Sequence, residues 1–189
     1  MSLLPAALLL GLAAGYWRGG SWSALTSVRL RRFAIVGLAL LMQLSLAVVS
    51  GQAVRDAVIV TSYGLVGLWL ALNALGRPPA LRRAIVLVAL GWALNVAVIV
   101  PNHGMPVSRA ALAAVGRPHA VVTHGNLWKH VEASSRTTLR PLGDVIPINV
   151  PLLRSVISAG DVLMLLGIAL GVAVAMGRPV VPSGTLPRS

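Results

Sequence analysis

The stretch that decides the fold runs from Pro101 to Asp161 and reads PNHGMPVSRAALAAVGRPHAVVTHGNLWKHVEASSRTTLRPLGDVIPINVPLLRSVISAGD. It is a polar interval between two long apolar runs, and it holds most of the residues able to do chemistry. The apolar runs on either side predict helices that face lipid. We therefore expect a membrane scaffold that holds this interval against one face of a bilayer.

The composition points to the same class of protein. The chain has 189 residues, enough for one domain, of which 57% are hydrophobic and 11% charged, with a mean hydropathy of +0.84. Its net charge of +12 is spread over short clusters between apolar runs, and aromatic residues make up only 4%. This pattern predicts the lipid bilayer, not nucleic acid, as partner. The absence of cysteine excludes disulfides, thiolate metal sites and cysteine nucleophiles.

Five apolar segments predict five membrane-spanning helices, and the fold class we expect is an all-α integral membrane protein. The segments are Ser2–Trp17, Phe33–Val49, Val58–Leu75, Ala84–Val100 and Val156–Met176. Residues 1–176 would form one transmembrane domain, with an ordered extracytoplasmic loop at 101–155 between helices 4 and 5. No helix is predicted between Gly104 and Gly125, and residues 177–189 are expected to be a disordered cytoplasmic tail.

The distribution of charge predicts the orientation. Nine arginines and no acid fall in the first and third connections and the tail, whereas all four acids fall in the other segments. Dense basic loops are typical of the cytoplasmic side. We expect a multi-pass plasma-membrane protein with its N-terminus outside and its C-terminus inside. No basic residue precedes the first apolar run, which favours a retained helix over a cleaved signal peptide.

Asp144 and Asp161 are the candidate catalytic residues. Asp144 follows Pro141-Leu-Gly, a turn sequence, and would otherwise be a solvated turn residue. Asp161 ends Ser158-Ala-Gly-Asp, which has the spacing of a helix capping box. Asp144 precedes Asp161 by 17 residues, enough chain to bring the two carboxyls together on the outer face, where paired carboxylates can divide acid and base roles.

Several further polar residues are expected near the same depth. Asn95 lies inside the fourth apolar run and Thr61-Ser-Tyr63 lies in the third, which suggests a polar layer under the loop. The histidines lack metal-ligand spacing, so neither a metal nor another cofactor is predicted. The candidate binding residues are Asn95, Asn102, Gly104, Asn126, Lys129, His130 and Ser158.

Three motifs carry a resemblance to a known family. With Asn102-His-Gly-Met-Pro-Val107, Leu142-Gly-Asp144 and Ser158-Ala-Gly-Asp161 in order, the chain resembles an uncharacterised bacterial family of small multi-pass membrane proteins. The resemblance covers most of the chain from the fourth apolar run onward. It implies a membrane protein and supplies no activity.

The chain is also similar, more weakly, to the lipoprotein signal peptidases, which are membrane aspartate proteases. The matching elements are Asn102-x-Gly104, Gly125-Asn126, Gly143-Asp144 and Gly160-Asp161, in that order. This chain has five predicted spans where that family has four, and Ser158 where it has asparagine. The resemblance implies that Asp144 and Asp161 are a catalytic pair.

Three functions remain open at the level of the sequence. The first is an aspartate-dyad hydrolase that acts on a membrane substrate at the outer face. The second is a transport, receptor or lipid-binding component that holds a ligand in the same polar layer without reaction. The third is an assembly partner whose loop docks another membrane protein. Convergence of the two carboxyls would favour the first.

Overall fold

The computed structural model of the chain describes residues 3–117, 130–151 and 153–177. Within them are seven α-helices and two small two-stranded sheets. The helices are α1 Leu4–Trp17, α2 Trp22–Ser27, α3 Phe33–Ser45, α4 Gln52–Ala74, α5 Pro79–Ile99, α6 Arg109–Ala114 and α7 Ala159–Ala175. The strands are β1 Met105–Val107, β2 His130–Glu132, β3 Ile146–Val150 and β4 Leu153–Ile157, with a 3-10 turn at Arg140–Leu142.

The five longer helices pack side by side in the order α3, α4, α5, α7, α1. Glycine sets the closest approaches, because a Cβ atom at Gly91 or Gly160 would lie closer than 3.0 Å to the backbone of the facing helix. A Cβ atom at Gly11 would meet the backbone of α7 in the same way, and one at Gly15 would meet Met176. Both glycines of this Gly-x-x-x-Gly pair therefore lie on the side of α1 that faces α7 and its C-cap.

Two of these helices are long and apolar enough to cross a membrane. α4 has 23 residues and α5 has 21, with mean hydropathies of 1.6 and 1.7 over their most apolar windows. Only 22% and 28% of those windows are buried, whereas the core helix of a soluble protein would be mostly buried. The other long apolar helices have 14, 13 and 17 residues. The structure therefore supports two of the five predicted spans by length and composition.

The expectation of an all-α chain is confirmed only in part: the described residues are mostly helical, but the interval after α5 contains strands. β3 and β4 form an antiparallel hairpin in which Ile146 pairs with Ile157 and Pro147 with Val156. The last helix accordingly begins at Ala159, three residues later than predicted. Val156 and Ile157 are β-branched residues that suit the pleated hairpin, and Ser158 caps the helix directly after them.

Other helix boundaries also differ from the prediction. α4 begins at Gln52, so Asp56 lies in a helix and not in a turn, and Arg55 donates hydrogen bonds to the carbonyls of Leu46 and Val49 after α3. α5 begins at Pro79, since proline is favoured in the first helical turn. The short helices α2 and α6 were not predicted. Each has a serine N-cap whose hydroxyl accepts a backbone hydrogen bond.

The elements between α5 and α7 form a cap over one end of the bundle. β1 lies parallel to β2, and Asp144 bridges to Val107 in β1. Met105 of the cap packs in an apolar cluster that includes four residues of the helices and of the turn after α3, namely Leu46, Ile59, Val98 and Ile99. The described residues of 101–155 form strands, a short helix and a 3-10 turn, and the order of the loop as a whole stays a prediction. The extended piece expected at 120–123 lies outside the described residues.

We predict that Gly91→Ala will destabilise the bundle by about 1–3 kcal/mol, because the added methyl group overpacks the contact between α5 and α7. The matched control is Gly64→Ala in α4, where no atom lies within 4 Å of an added Cβ. The control should retain or slightly raise stability, by up to about 1 kcal/mol. Thermal unfolding of both variants in the same detergent measures the difference, and equal stabilities would contradict the close approach.

Candidate functional site

Asp144 and Asp161 line one cavity at the capped end of the bundle, with a volume of about 400 Å³. Asp144 comes from the cap and Asp161 from the first turn of α7. His130 and Ser155 are the other polar residues of the wall. The apolar residues of the wall are Leu3, Leu4, Val156, Ile157, Met164, Leu165 and Ile168.

The backbone of β1 holds Asp144 in place. Asp144 N–H donates to the carbonyl of Pro106 at 2.8 Å, and Ser108 N–H donates to the carbonyl of Asp144 at 3.0 Å. A Cβ atom at Gly143 would lie 2.5 Å from the Pro106 carbonyl oxygen, so this approach requires glycine. The Met-Pro-Val strand therefore holds the Leu-Gly-Asp turn through backbone hydrogen bonds, which places Asp144 beside the cavity.

The carboxyl group of Asp144 is poorly solvated. The residue is only 6% exposed, and its Oδ1 atom has no hydrogen-bond partner among the described residues. Burial, together with the negative charge of Asp161, raises the pKa of Asp144 from 3.8 to about 7. His130 Nε2 lies 3.7 Å from Asp144 Oδ2, an ion-pair distance when the imidazole is protonated. Asp144 is therefore a carboxyl that holds its proton up to neutral pH.

Asp161 has a different environment, in which both of its oxygens accept hydrogen bonds. Asn95 Nδ2 donates to Oδ1 at 2.8 Å, and Ser158 N–H donates to Oδ2 at 3.2 Å. Ser158 Oγ in turn donates to Asn95 Oδ1 at 2.8 Å and accepts from Asp161 N–H at 2.9 Å. The predicted capping box is confirmed, and Asn95 joins it to α5. Acceptor-only bonding is what an ionised carboxylate offers.

The remaining predicted residues lie apart from the cavity wall or outside the described residues. Asn102 pairs with the backbone of Thr138, donating at 2.9 Å and accepting at 2.9 Å, and donates to Val98 at 2.7 Å. Its amide thus anchors the cap and contacts neither carboxyl. Gly104 is buried and donates to the carbonyl of Ile99 at 3.1 Å. Asn126 and Lys129 lie outside the described residues.

The expected polar layer is narrower than predicted. Asn95, Ser158 and Asp161 form it, whereas Ser62 Oγ donates to the carbonyl of Ile59 in its own helix. Tyr63 packs against the apolar cluster under the cap. Asp56, between the second and third apolar segments of the sequence, lies 2.9 Å from His103 Nδ1, a hydrogen-bond distance. Among the described residues, no three His, Asp or Glu side chains are grouped so as to hold a metal ion.

The sequence did not single out the rest of the wall. Met164, Leu165 and Ile168 follow Asp161 at spacings of three, four and seven, which place all four on one face of α7. That periodicity was readable once α7 was known to begin at Ala159. Ser155 had no such signal, because its position follows from the β3–β4 hairpin.

We predict that Asp144→Asn will change the pH dependence of stability. In the wild type the unfolded chain releases this proton near pH 3.8 and the folded chain near pH 7, so stability falls as the pH rises through that window. Asparagine carries no charge, so the variant should gain thermal stability relative to wild type between these pH values and keep a constant difference above them.

His130 is an ionisable side chain that faces Asp144, so the comparison should be repeated in the His130→Gln background. Thermal unfolding in detergent across this pH range is the measurement. Parallel curves for the wild type and Asp144→Asn would show that the carboxyl is ionised in the fold.

Comparison with known proteins gives a family without an activity. No curated protein and no solved structure matches the chain, and the likeness to lipoprotein signal peptidases stays a prediction. Residues 27–173 match the profile of DUF5317, a family of unknown function, and this range includes α3 to α5, the cap and nearly all of α7. Both carboxyl groups of the cavity lie within it. The chain belongs to the DUF5317 family.

Proposed function

We propose that the chain is a multi-pass protein of a bacterial plasma membrane in which α1, α3, α4, α5 and α7 all lie in the bilayer. The two candidate spans support this, and so do the apolar side chains on the outside of the shorter helices. Leu9 and Leu41 are each 65% exposed, and Leu166 is 55% exposed. Side chains of this kind on every helix of a row favour lipid, not water, around it.

The orientation that we propose puts the cap outside the cell. Arg18, Arg29, Arg77 and Arg82 are among the basic residues at the end opposite the cap, where the described residues include no acid. A dense basic end is typical of the cytoplasmic side of a membrane protein. The cavity would then lie at the extracytoplasmic face.

The activity that we propose is hydrolysis of a membrane-embedded substrate by the Asp144 and Asp161 pair. The observation that carries this proposal is that two carboxyl groups in unlike environments line one cavity. Asp144 is buried, one of its oxygens has no partner among the described residues, and its pKa is raised to about 7, whereas Asp161 accepts two hydrogen bonds. Groups whose environments separate their protonation states in this way are suited to acid and base roles.

In the proposed reaction, the Asp161 carboxylate takes a proton from a water molecule as the water oxygen attacks the substrate carbonyl carbon. Protonated Asp144 gives its proton to the carbonyl oxygen, which yields a neutral tetrahedral diol. In the second step the leaving atom receives the proton from Asp161 as its bond to carbon breaks. A proton from the diol then returns to Asp144 as the carbonyl reforms, so the pair ends in its starting state.

The shape of the wall supports an amphiphilic substrate. The apolar stripe of Met164, Leu165 and Ile168 runs along α7 away from the carboxyl groups. A substrate with an acyl or other apolar chain can lie along that stripe while its polar, cleavable group reaches the acids. A fully water-soluble substrate would leave these apolar residues uncovered.

A second candidate function is binding without reaction, as in a transport component, a receptor or an assembly partner. One observation favours it: Asp161 already has a structural role, because it completes the capping box and the bridge to Asn95. In this alternative the cavity holds an amphiphile, Asp144 donates one hydrogen bond to it, and no bond is broken.

We predict that Asp144→Asn and Asp161→Asn will each reduce hydrolysis by about 100-fold or more, the usual loss when a general acid or base is removed. The probe is a quenched-fluorescent peptide carrying an N-terminal acyl chain, presented in detergent micelles to the purified full chain. The same peptide without the acyl chain should be cleaved more slowly. The rate should also fall as the pH rises through about 7, where Asp144 loses its proton.

Ser158→Ala is the matched control for the structural part of the Asp161 effect. It removes the N-cap hydroxyl, at a cost of about 0.5–2 kcal/mol in stability, and with it the donor to Asn95 Oδ1, but it keeps both carboxyl groups and the Ser158 N–H bond to Asp161. The hydrolysis rate should therefore fall by much less than in Asp161→Asn. Binding of the acylated peptide with no cleavage by the wild type would favour the second function. Full activity in both asparagine variants would refute the dyad.

The proposed orientation predicts the labelling of introduced cysteines. The natural chain has no cysteine, so Ser135→Cys in the cap and Ser23→Cys at the basic end each provide one exposed thiol. A membrane-impermeant maleimide should label position 135 in intact cells and position 23 only after the membrane is permeabilised. The reverse pattern would invert the topology.

A further inference from the structure

A second cavity, of about 390 Å³, lies at the end of the bundle opposite the carboxyl groups. Trp69, Leu81 and Gly171, from α4, α5 and α7, form part of its wall, and the segment between α2 and α3 closes it with Val28 and Leu30. Every described residue of this wall is apolar. We call this cavity the basic-end groove.

Exposed arginines lie next in the chain to several residues of the groove wall. Val28 and Leu30 alternate with Arg29 and Arg31, and Arg82 follows Leu81 directly. None of the ion pairs among the described residues includes these arginines; their acids are Asp56, Glu132 and Asp144, which lie in the cap or beside it. The groove therefore joins an apolar interior to a positively charged rim.

The basic segment is held in a fixed position beside the groove. Asn73 is 2% exposed, and its amide accepts from Arg31 N–H at 2.9 Å and donates to the Arg31 carbonyl at 3.2 Å. Trp69 Nε1 donates to the same carbonyl at 2.9 Å, and the guanidinium of Arg77 donates to the carbonyl of Arg29. These bonds use the backbone of the segment and leave the side chains of Arg29 and Arg31 at the rim.

We propose that the basic-end groove binds one molecule of an anionic phospholipid. An acyl chain occupies the apolar cavity, whose volume is within the range of ligand pockets, about 300–1,000 Å³. The phosphate group lies among Arg29, Arg31 and Arg82, since guanidinium groups bind phosphate through paired hydrogen bonds. Basic pockets between helices on the cytoplasmic side of a membrane are suited to such headgroups. This site shares the wall residue Ile168 with the proposed hydrolytic cavity but none of its carboxyl groups, and it rests on the proposed membrane orientation and not on the proposed hydrolysis.

The test is native mass spectrometry of the full chain in detergent, with phosphatidylglycerol and phosphatidylcholine of identical acyl chains as probes. We expect one phosphatidylglycerol adduct per chain, at concentrations at least about tenfold lower than phosphatidylcholine requires, which corresponds to about 1.4 kcal/mol. Equal retention of the two lipids, or a dimer of the chain in place of an adduct, would overturn the proposal.

Gly171→Leu tests the apolar part of the site. A Cβ atom at this position lies 3.6 Å from Ala84 Cβ, an ordinary contact, so the larger side chain extends into the groove and should displace the acyl chain. Gly171→Ala is the matched control and should bind lipid like the wild type. Undiminished phosphatidylglycerol binding by folded Gly171→Leu would place the lipid elsewhere.

Arg31→Gln/Arg82→Gln tests the rim without altering the packing, because both side chains are exposed. The matched control is Arg32→Gln/Arg83→Gln, which removes the same charge; helix periodicity puts position 83 on the face of α5 opposite the groove residue Leu81. The first pair should lose most of the preference for phosphatidylglycerol and the second should keep it. Equal losses would show a general charge effect and would overturn the proposed site.

Discussion

The structure depends on the hydrogen-bond network of Asn95, Ser158 and Asp161, at the closest approach of α5 and α7. Gly91 and Gly160 let the two backbones meet there, and the network pairs the polar side chains of Asn95, Ser158 and Asp161 with one another. An unpaired buried polar group costs about 1–3 kcal/mol, more in an apolar surrounding, so the three residues depend on one another. The network also fixes where β4 ends and where α7 begins.

The second carboxyl group reaches the cavity from the cap, and this gives the pair its asymmetry. Asp144 is fixed through its backbone, which pairs with Pro106 and Ser108, and its side chain is left without the donors that Asp161 receives. Proline fits in β1 because its carbonyl is the group required there, although it lacks an N–H. The same residue type is thus held in two different environments by two kinds of support.

The sequence predicted the features that depend on local chemistry and missed those that depend on pairing over distance. The capping box at Ser158 and Asp161, the apolar helices and the shared depth of Asn95 and Asp161 followed from spacing and hydropathy, and the structure has them. In the β3–β4 hairpin and in the bridge from Asp144 to β1, nothing in the local sequence pattern indicates which residue pairs with which. Asn102 was expected near the acids, but its amide matches the backbone of Thr138 instead.

The structural and chemical interpretations of Asp161 are compatible, because they use different lone pairs. A carboxylate offers about four acceptor sites, and the bonds from Asn95 Nδ2 and Ser158 N–H occupy two of them. Those bonds fix the orientation of the side chain, which a base must have before it can meet a water molecule in a productive geometry. A substitution at Asp161 would therefore alter both the stability of the fold and the proposed reaction. At Asp144, whose Oδ1 makes no hydrogen bond to any described residue, a substitution tests the proposed reaction without the loss of such a structural bond.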